Sequence, residues 1–208
     1  MLILADLAKA LEEGDSSQVK DLTARALQEG TAPTRILKEG LFAGMDVVGA
    51  KFKNGDFYIP HVLIAARAMQ AGMETLKPHL IAAGTKPAGK FIIGTVQGDY
   101  HDIGKNLVAM MLKGAGFEVL DLGVDASPEK FVTKAKECKP QVIGLSALLT
   151  TTMPAMEKIL RALKDAGIPA KTMIGGAPVT QTYADKIGAN GYAPDAASAV
   201  DLAKSLLN

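Results

Sequence analysis

From Phe91 onward the chain repeats one pattern: a short, apolar, largely β-branched run, then a turn, then a segment with helical spacing. The runs fall near 91–96, 118–122, 141–146, 170–174 and 190–193, and the helical segments near 103–114, 128–137, 153–166, 180–187 and 196–207. An almost uncharged run such as Phe91-Ile92-Ile93-Gly94-Thr95-Val96 reads as a strand buried on both faces, an environment that a helix-covered parallel sheet supplies. Strands alternating with helices predict an α/β fold with a doubly wound parallel sheet. Right-handed crossovers bring every strand's carboxyl end to one edge, where such sheets bind ligands.

Before that point the period is helical throughout. Leu2–Glu13, Ser16–Glu29, Thr34–Lys53 and Ile59–Leu76 carry apolar residues at helical spacing and predict an antiparallel four-helix bundle. Gly30-Thr31-Ala32-Pro33 and Asn54-Gly55-Asp56 supply turns, and Ser16 reads as the N-cap of the second helix. The small, Gly- and Pro-bearing stretch from Ala82 to Lys90 reads as a linker. The expected domains are 1–82 and 91–208, joined by 83–90.

Composition narrows the functional classes. With 208 residues, 48% hydrophobic content and a net charge of +1, the chain is a globular sequence with no field to attract nucleic acid and no run long enough to span a bilayer. Met1-Leu2-Ile3-Leu4-Ala5-Asp6 lacks a basic leader, so a cytoplasmic location is expected. Cys138 is the single cysteine and can form no internal disulfide. The histidines are His61, His79 and His101, so a zinc site built from Cys and His is nearly excluded by inventory. A metal would have to arrive inside a cofactor, and His61 and His79 read as surface residues.

The candidate site is Gly98-Asp99-Tyr100-His101-Asp102-Ile103-Gly104, between the first predicted strand and its helix. It offers His101 as an axial metal ligand. Asp99, two residues earlier, can accept a hydrogen bond from the ring nitrogen that does not face the metal, fixing the tautomer. Gly98 permits a tight turn and Gly104 leaves room for a large group. A plainer reading has Asp99 and Asp102 capping the helix and His101 in solvent.

Together with Gly123-Val124-Asp125, the run from Ser146 to Met153 and Gly175-Gly176, this D-x-H-x-x-G element resembles the cobalamin-binding module of corrinoid methyl-carrier proteins and of methionine synthase. Gly44-Met45-Asp46-Val47-Val48-Gly49 and Phe57-Tyr58-Ile59-Pro60 resemble the helical cap of those proteins, so the likeness covers essentially the whole chain. The resemblance implies a four-helix bundle cap followed by a flavodoxin-like parallel five-stranded sheet. It implies cobalamin held by His101 as lower axial ligand, with a relay through Asp99 to Thr152, where methionine synthase has serine.

Residue by residue, the resemblance places Gly98, Tyr100, Asp102, Ile103, Gly104, Ser146, Leu148 and Thr150 around the cofactor and its buried tail. Gly175 and Gly176 would lie beside the tail's phosphoribosyl portion, and Tyr192, Ala193 and Ala196 in the last binding loop. Tyr58, with Leu63, Ala66, Met69 and Met73, would shield the methyl-bearing side, although Met69 and Met73 suit a bundle core equally. The implied function is to carry a methyl group on cobalt between a substrate-specific methyltransferase and a second, corrinoid-to-acceptor methyltransferase, with a reductive activation partner. Methanol, methylamines, betaines and aryl methyl ethers stay open as donors. An adenosylcobalamin mutase subunit and a corrinoid-responsive regulator are the alternatives.

Overall fold

The computed structural model describes residues 2–207; Met1 and Asn208, the outer limits of the expected domains, lie outside them. The chain divides into two compact units, one running to Pro87 and including Gly114–Gly116, the other comprising Ala88–Lys113 and Phe117 onward.

The first unit is helical. It contains α1 (Leu2–Glu13), α2 (Ser16–Gln28), the short α3 (Pro33–Arg35), a π-helical segment (Ile36–Phe42), α4 (Ala43–Lys53) and α5 (Ile59–Ala82). Leu7, Leu11, Val19, Ile36, Leu41, Val48, Val62 and Leu76 form its core.

Three details differ from the sequence expectation. The N-cap of α2 is Asp15, not Ser16: the Asp15 carboxylate accepts the Gln18 N–H at 2.9 Å. The expected helix over Thr34–Lys53 contains the π-helical segment, which keeps Ile36, Leu37, Gly40 and Leu41 all buried and so leaves the apolar periodicity uninterrupted. Helix α5 continues past Leu76 and through Pro78 to Ala82. Pro78 is exposed, so water can reach the carbonyl that its missing N–H leaves unpaired.

The second unit holds β1 (Lys90–Thr95), α6 (Ile103–Gly114), β2 (Glu118–Asp121), α7 (Pro128–Cys138), β3 (Val142–Ser146), α8 (Pro154–Asp165), β4 (Lys171–Gly175), α9 (Gln181–Ile187), β5 (Gly191–Tyr192) and α10 (Ala196–Ser205). The five strands lie in the order β2-β1-β3-β4-β5, every neighbouring pair parallel. On α8, Met156, Ile159 and Leu163 form a buried stripe at spacings of three and four residues. They pack with Phe131 of α7 and with Ile92, Ile143, Leu145 and Ile174 of the sheet. Fully burying each such side chain contributes roughly 1.5–3 kcal/mol.

Strand β1 begins at Lys90, the last residue of the expected linker. Among the described residues, no helix is long and apolar enough to cross a membrane.

Candidate functional site

The strand order creates one place where neighbouring connections part. The chain leaves β1 toward β2 on one side, and leaves β3 toward β4 on the other. A sheet of this order has its crevice there, at the carboxyl ends of the two central strands. The histidine loop follows β1, and the loop bearing Leu148 and Thr152 follows β3.

Asp99 joins these loops. It is 0% exposed, and its two carboxylate oxygens receive four donors. Oδ1 accepts the His101 N–H at 3.1 Å and lies 2.7 Å from His101 Nδ1. Oδ2 accepts the Leu148 N–H at 2.8 Å and the Thr152 hydroxyl at 2.7 Å. An ionised carboxylate only accepts, so Nδ1 carries a ring proton, and in the neutral ring Nε2 is the nitrogen with a free lone pair. Among the described residues Nε2 has no protein partner, and the His101 side chain is 51% exposed. A buried carboxylate thus orients a nitrogen donor outward from the crevice, which fits an axial metal ligand. Asp99 is therefore no helix cap. Asp102 is the residue that starts α6: its carbonyl accepts the Asn106 N–H at 2.7 Å, and its carboxylate binds the Asn106 side chain at 3.0 Å.

Burial pushes the Asp99 carboxyl up, but the Thr152 hydroxyl, the Leu148 amide and the His101 ring and amide outweigh it, holding the group well below the ordinary carboxylate range. A depressed acid contributes stability that is present above its unfolded pKa, near 3.9 for Asp, and is lost as pH falls toward the folded value. Asp99→Asn is therefore expected to lose about 1–3 kcal/mol of unfolding free energy at neutral pH through mismatched donors. The deficit should narrow below about pH 4; urea unfolding of both proteins from pH 7 downward checks it, and a deficit constant with pH would contradict it.

Thr152 brings its hydroxyl to Asp99 despite its additional methyl. That methyl points toward Gly98, where an added Cβ would meet it at an ordinary 3.8 Å. Gly98 itself adopts φ +83°, the left-handed turn expected of it.

The other expected residues divide clearly. Tyr100 (69% exposed) and Ile103 (74%) on the histidine loop and its helix, and Leu148 (42%) and Leu149 on the loop after β3, leave large apolar side chains uncovered. A Cβ on Gly104 would meet nothing within 4 Å. Ser146 ends β3 in register with Gly175; neither its hydroxyl nor that of Thr150 has a protein partner among the described residues, so neither caps α8.

Gly176 has a different reason to be glycine. At φ +129° a Cβ there would lie 1.8 Å from the Ala147 carbonyl oxygen, and one on Gly175 would lie 3.1 Å from that of Ala193. The close approach is between protein backbones. Tyr192 is half-buried, while Ala193 and Ala196 are buried. Tyr58 belongs to the helical unit, where it is exposed and precedes α5; its N–H donates to His61 Nδ1 at 3.1 Å. Met69 is bundle core.

Sequence reasoning missed Lys105. Its side chain is 2% exposed, and its ammonium donates to Asp121 at 2.5 Å and to the Asn106 side chain at 2.6 Å. The signal was present: Lys105 shares the buried face of α6 with Ala109 and Leu112, and a lysine on such a face needs an acidic partner. The capping role of His61, also stacked on Phe57 at 4.8 Å, was missed as well.

These features agree with relatives of the whole chain. The B12 binding domain family matches residues 89–201, and a second B12 binding domain family matches residues 3–77. The chain is 47% identical to trimethylamine corrinoid protein 1 of Methanosarcina mazei over 99% of this chain and 97% of that one. It is 48% identical to dimethylamine corrinoid protein 1 of Methanosarcina acetivorans over 90% and 91%. Among solved structures it resembles the methanol:cobalamin methyltransferase complex of Methanosarcina barkeri, with TM-score 0.89 and 31% identity over 99% of this chain and 80% of that one. A cobalamin-binding protein from Desulfitobacterium hafniense gives TM-score 0.83 and 32% identity over 99% and 98%. With a family match over more than half its length and the histidine crevice at the sheet's switch point, the chain belongs to the B12-binding family.

Proposed function

We propose that this protein carries a methyl group on a corrinoid between a substrate-specific methyltransferase and a second methyltransferase, with His101 as the lower axial ligand. The observation that carries the reading is the buried Asp99 carboxylate, 2.7 Å from His101 Nδ1, which leaves Nε2 as an outward donor. Bound there, the corrinoid supplies a cobalt atom that takes up and releases a methyl group.

The chain's residues do the rest. Asp99 holds the proton on Nδ1 and raises the basicity of Nε2. The Thr152 hydroxyl and the Leu148 amide keep Asp99 ionised by filling its second oxygen. Tyr100, Ile103, Leu148 and Leu149 offer an apolar surface to a macrocycle, and covering it contributes about 25 cal/mol per Å². The Ser146 and Thr150 hydroxyls are available to the tail, whereas Gly175 and Gly176 already serve the β4 turn. A reductive partner from outside the chain would keep the bound cobalt competent to take up a methyl group.

Relatives at 45–48% identity that are trimethylamine and dimethylamine corrinoid proteins favour methylamines as donors over methanol, whose complex is 31% identical. The test is to load the full chain with cobalamin, reduce it, and follow cobalt methylation by absorbance. Purified trimethylamine, dimethylamine and methanol methyltransferases are supplied in turn with their substrates. Methylation that needs an amine methyltransferase is expected; methylation with the methanol enzyme alone, or with none of the three, would sink the methylamine reading, and a chain that takes up no cobalamin would sink the carrier reading.

Gly104 gives a second check. Gly104→Leu replaces a glycine within α6 at a position where a Cβ meets nothing within 4 Å, so it is expected to leave apoprotein stability unchanged or raise it by up to about 1 kcal/mol, yet to weaken cobalamin binding tenfold or more by filling space in the histidine loop. Equal affinity in a spectroscopic titration would contradict it.

A further inference from the structure

Asp125, in the loop between β2 and α7, is one of two non-glycine residues with positive φ among the described residues, at φ +50°. A side chain in that conformation is strained unless something compensates, and aspartate and asparagine tolerate it best. The compensation here is unusually dense. Asp125 Oδ1 accepts the Gly98 N–H at 2.7 Å, Oδ2 accepts the Tyr100 hydroxyl at 3.1 Å, and the Asp125 N–H donates to the Asp99 carbonyl at 3.0 Å. One residue therefore grips three successive residues immediately before His101.

The same loop is anchored on both sides of this grip. The Ala126 N–H donates to the Thr95 carbonyl at 2.9 Å, and the Thr95 hydroxyl donates to the His101 carbonyl at 2.8 Å. Upstream, Asp121 binds the Gly123 N–H at 2.8 Å and the buried Lys105 of α6. The loop thus holds the histidine segment at its start through Asp125 and at its end through Lys105. Tyr100 is 69% exposed, yet its phenol is tied, so the ring beside His101 has a fixed direction.

We propose that Asp125 is a positioning residue for the axial bond: by holding Gly98, Asp99 and Tyr100 it sets the direction in which His101 presents Nε2, and Tyr100 is its partner. The inference rests on His101 being the axial ligand. It predicts that the acceptor oxygen of Asp125 matters, beyond any share in folding.

The full chain is prepared as wild type, Asp125→Gly, Asp125→Asn and Tyr100→Phe. Asp125→Gly removes the acceptors and relieves the backbone strain; Asp125→Asn tolerates positive φ and keeps an oxygen for the Gly98 N–H. Three quantities are measured: apoprotein melting, affinity for hydroxocobalamin by absorbance, and, with nitrogen-15-labelled protein, the hyperfine splitting from protein nitrogen in the reduced, cobalt(II) form by EPR. Asp125→Gly is expected to bind about 10–100-fold more weakly, the usual loss when a residue supporting a metal ligand is removed, with a reduced share of cobalt coordinated by protein nitrogen. Asp125→Asn should restore both to near wild-type values. Tyr100→Phe, whose exposed hydroxyl has little part in folding, should lose a smaller factor; it carries the test alone if Asp125→Gly does not fold.

Wild-type affinity and splitting in Asp125→Gly, or in Tyr100→Phe where it stands alone, would overturn the proposal. So would an Asp125→Asn variant as impaired as Asp125→Gly. A wild-type protein that binds cobalamin without splitting from protein nitrogen would be a separate failure, removing His101 as ligand.

Discussion

His101→Ala is expected to abolish the axial splitting from protein nitrogen in the cobalt(II) EPR spectrum of nitrogen-15-labelled protein loaded with unlabelled cobalamin. The ring is the nitrogen donor that Asp99 orients, with Nδ1 2.7 Å from the buried carboxylate; alanine leaves the lower face to water or to the corrinoid's own base, whose unlabelled nitrogen has a different splitting pattern from that of labelled protein. Affinity should fall by at least the 10–100-fold seen when mere supporting residues of metal ligands are lost. Folding should be little disturbed. The side chain is half-exposed, and Asp99 keeps the Thr152 hydroxyl, the Leu148 amide and the amide of residue 101 as donors. The cost of the missing bond is about 1 kcal/mol. Persistence of the splitting in His101→Ala, in a protein that melts like wild type, would refute the assignment.

Gly176→Ala is expected to have the largest effect on stability of any single methyl group added near the site. The new Cβ would lie 1.8 Å from the Ala147 carbonyl oxygen at φ +129°. That carbonyl belongs to the residue directly after β3, whose own N–H donates to the Gly175 carbonyl at 3.2 Å. Neither backbone can yield without breaking the β3–β4 edge. A loss of about 3–5 kcal/mol in urea unfolding of the apoprotein is expected, in the range reserved for strain and overpacking combined. Gly175→Ala, whose Cβ would lie 3.1 Å from the Ala193 carbonyl oxygen at an ordinary φ, should lose only about 1 kcal/mol. The pair separates two reasons for glycine. If Gly176 were there only to admit the corrinoid tail, Gly176→Ala would unfold like wild type and fail only in binding.

Much of the architecture could be read from the chain because its signals are local. Short apolar runs separated by helix-length segments identified all five strands, each within two residues of its observed ends; β1, β3 and β4 are mostly buried, which leaves little room for polar residues, while the edge strand β2 is only half-buried at its centre. The histidine loop was legible for the same reason: Gly98, Asp99, His101 and Gly104 lie within seven residues of one another. Less legible were features in which two local readings compete. Asp15 and Ser16 are both good caps, and only the geometry shows that the aspartate accepts the Gln18 N–H. The π-helical segment left no mark because its extra residue per turn keeps apolar side chains on the buried face.

By itself the sequence determined the order of strands and helices and the presence of a D-x-H-x-x-G loop after the first strand. These follow from spacing along the chain. Only the tertiary structure decided what that loop touches. Thr152 lies 53 residues from Asp99 yet completes its carboxylate, and Asp125, 27 residues from Gly98, holds the loop in place. Lys105 is buried because Asp121 faces it, and Gly176 is glycine because the Ala147 carbonyl crosses it. Parallel strands bring such distant residues together at one edge of the sheet, and hydrogen bonds and van der Waals contacts act over a few ångströms of space, whatever the separation in sequence.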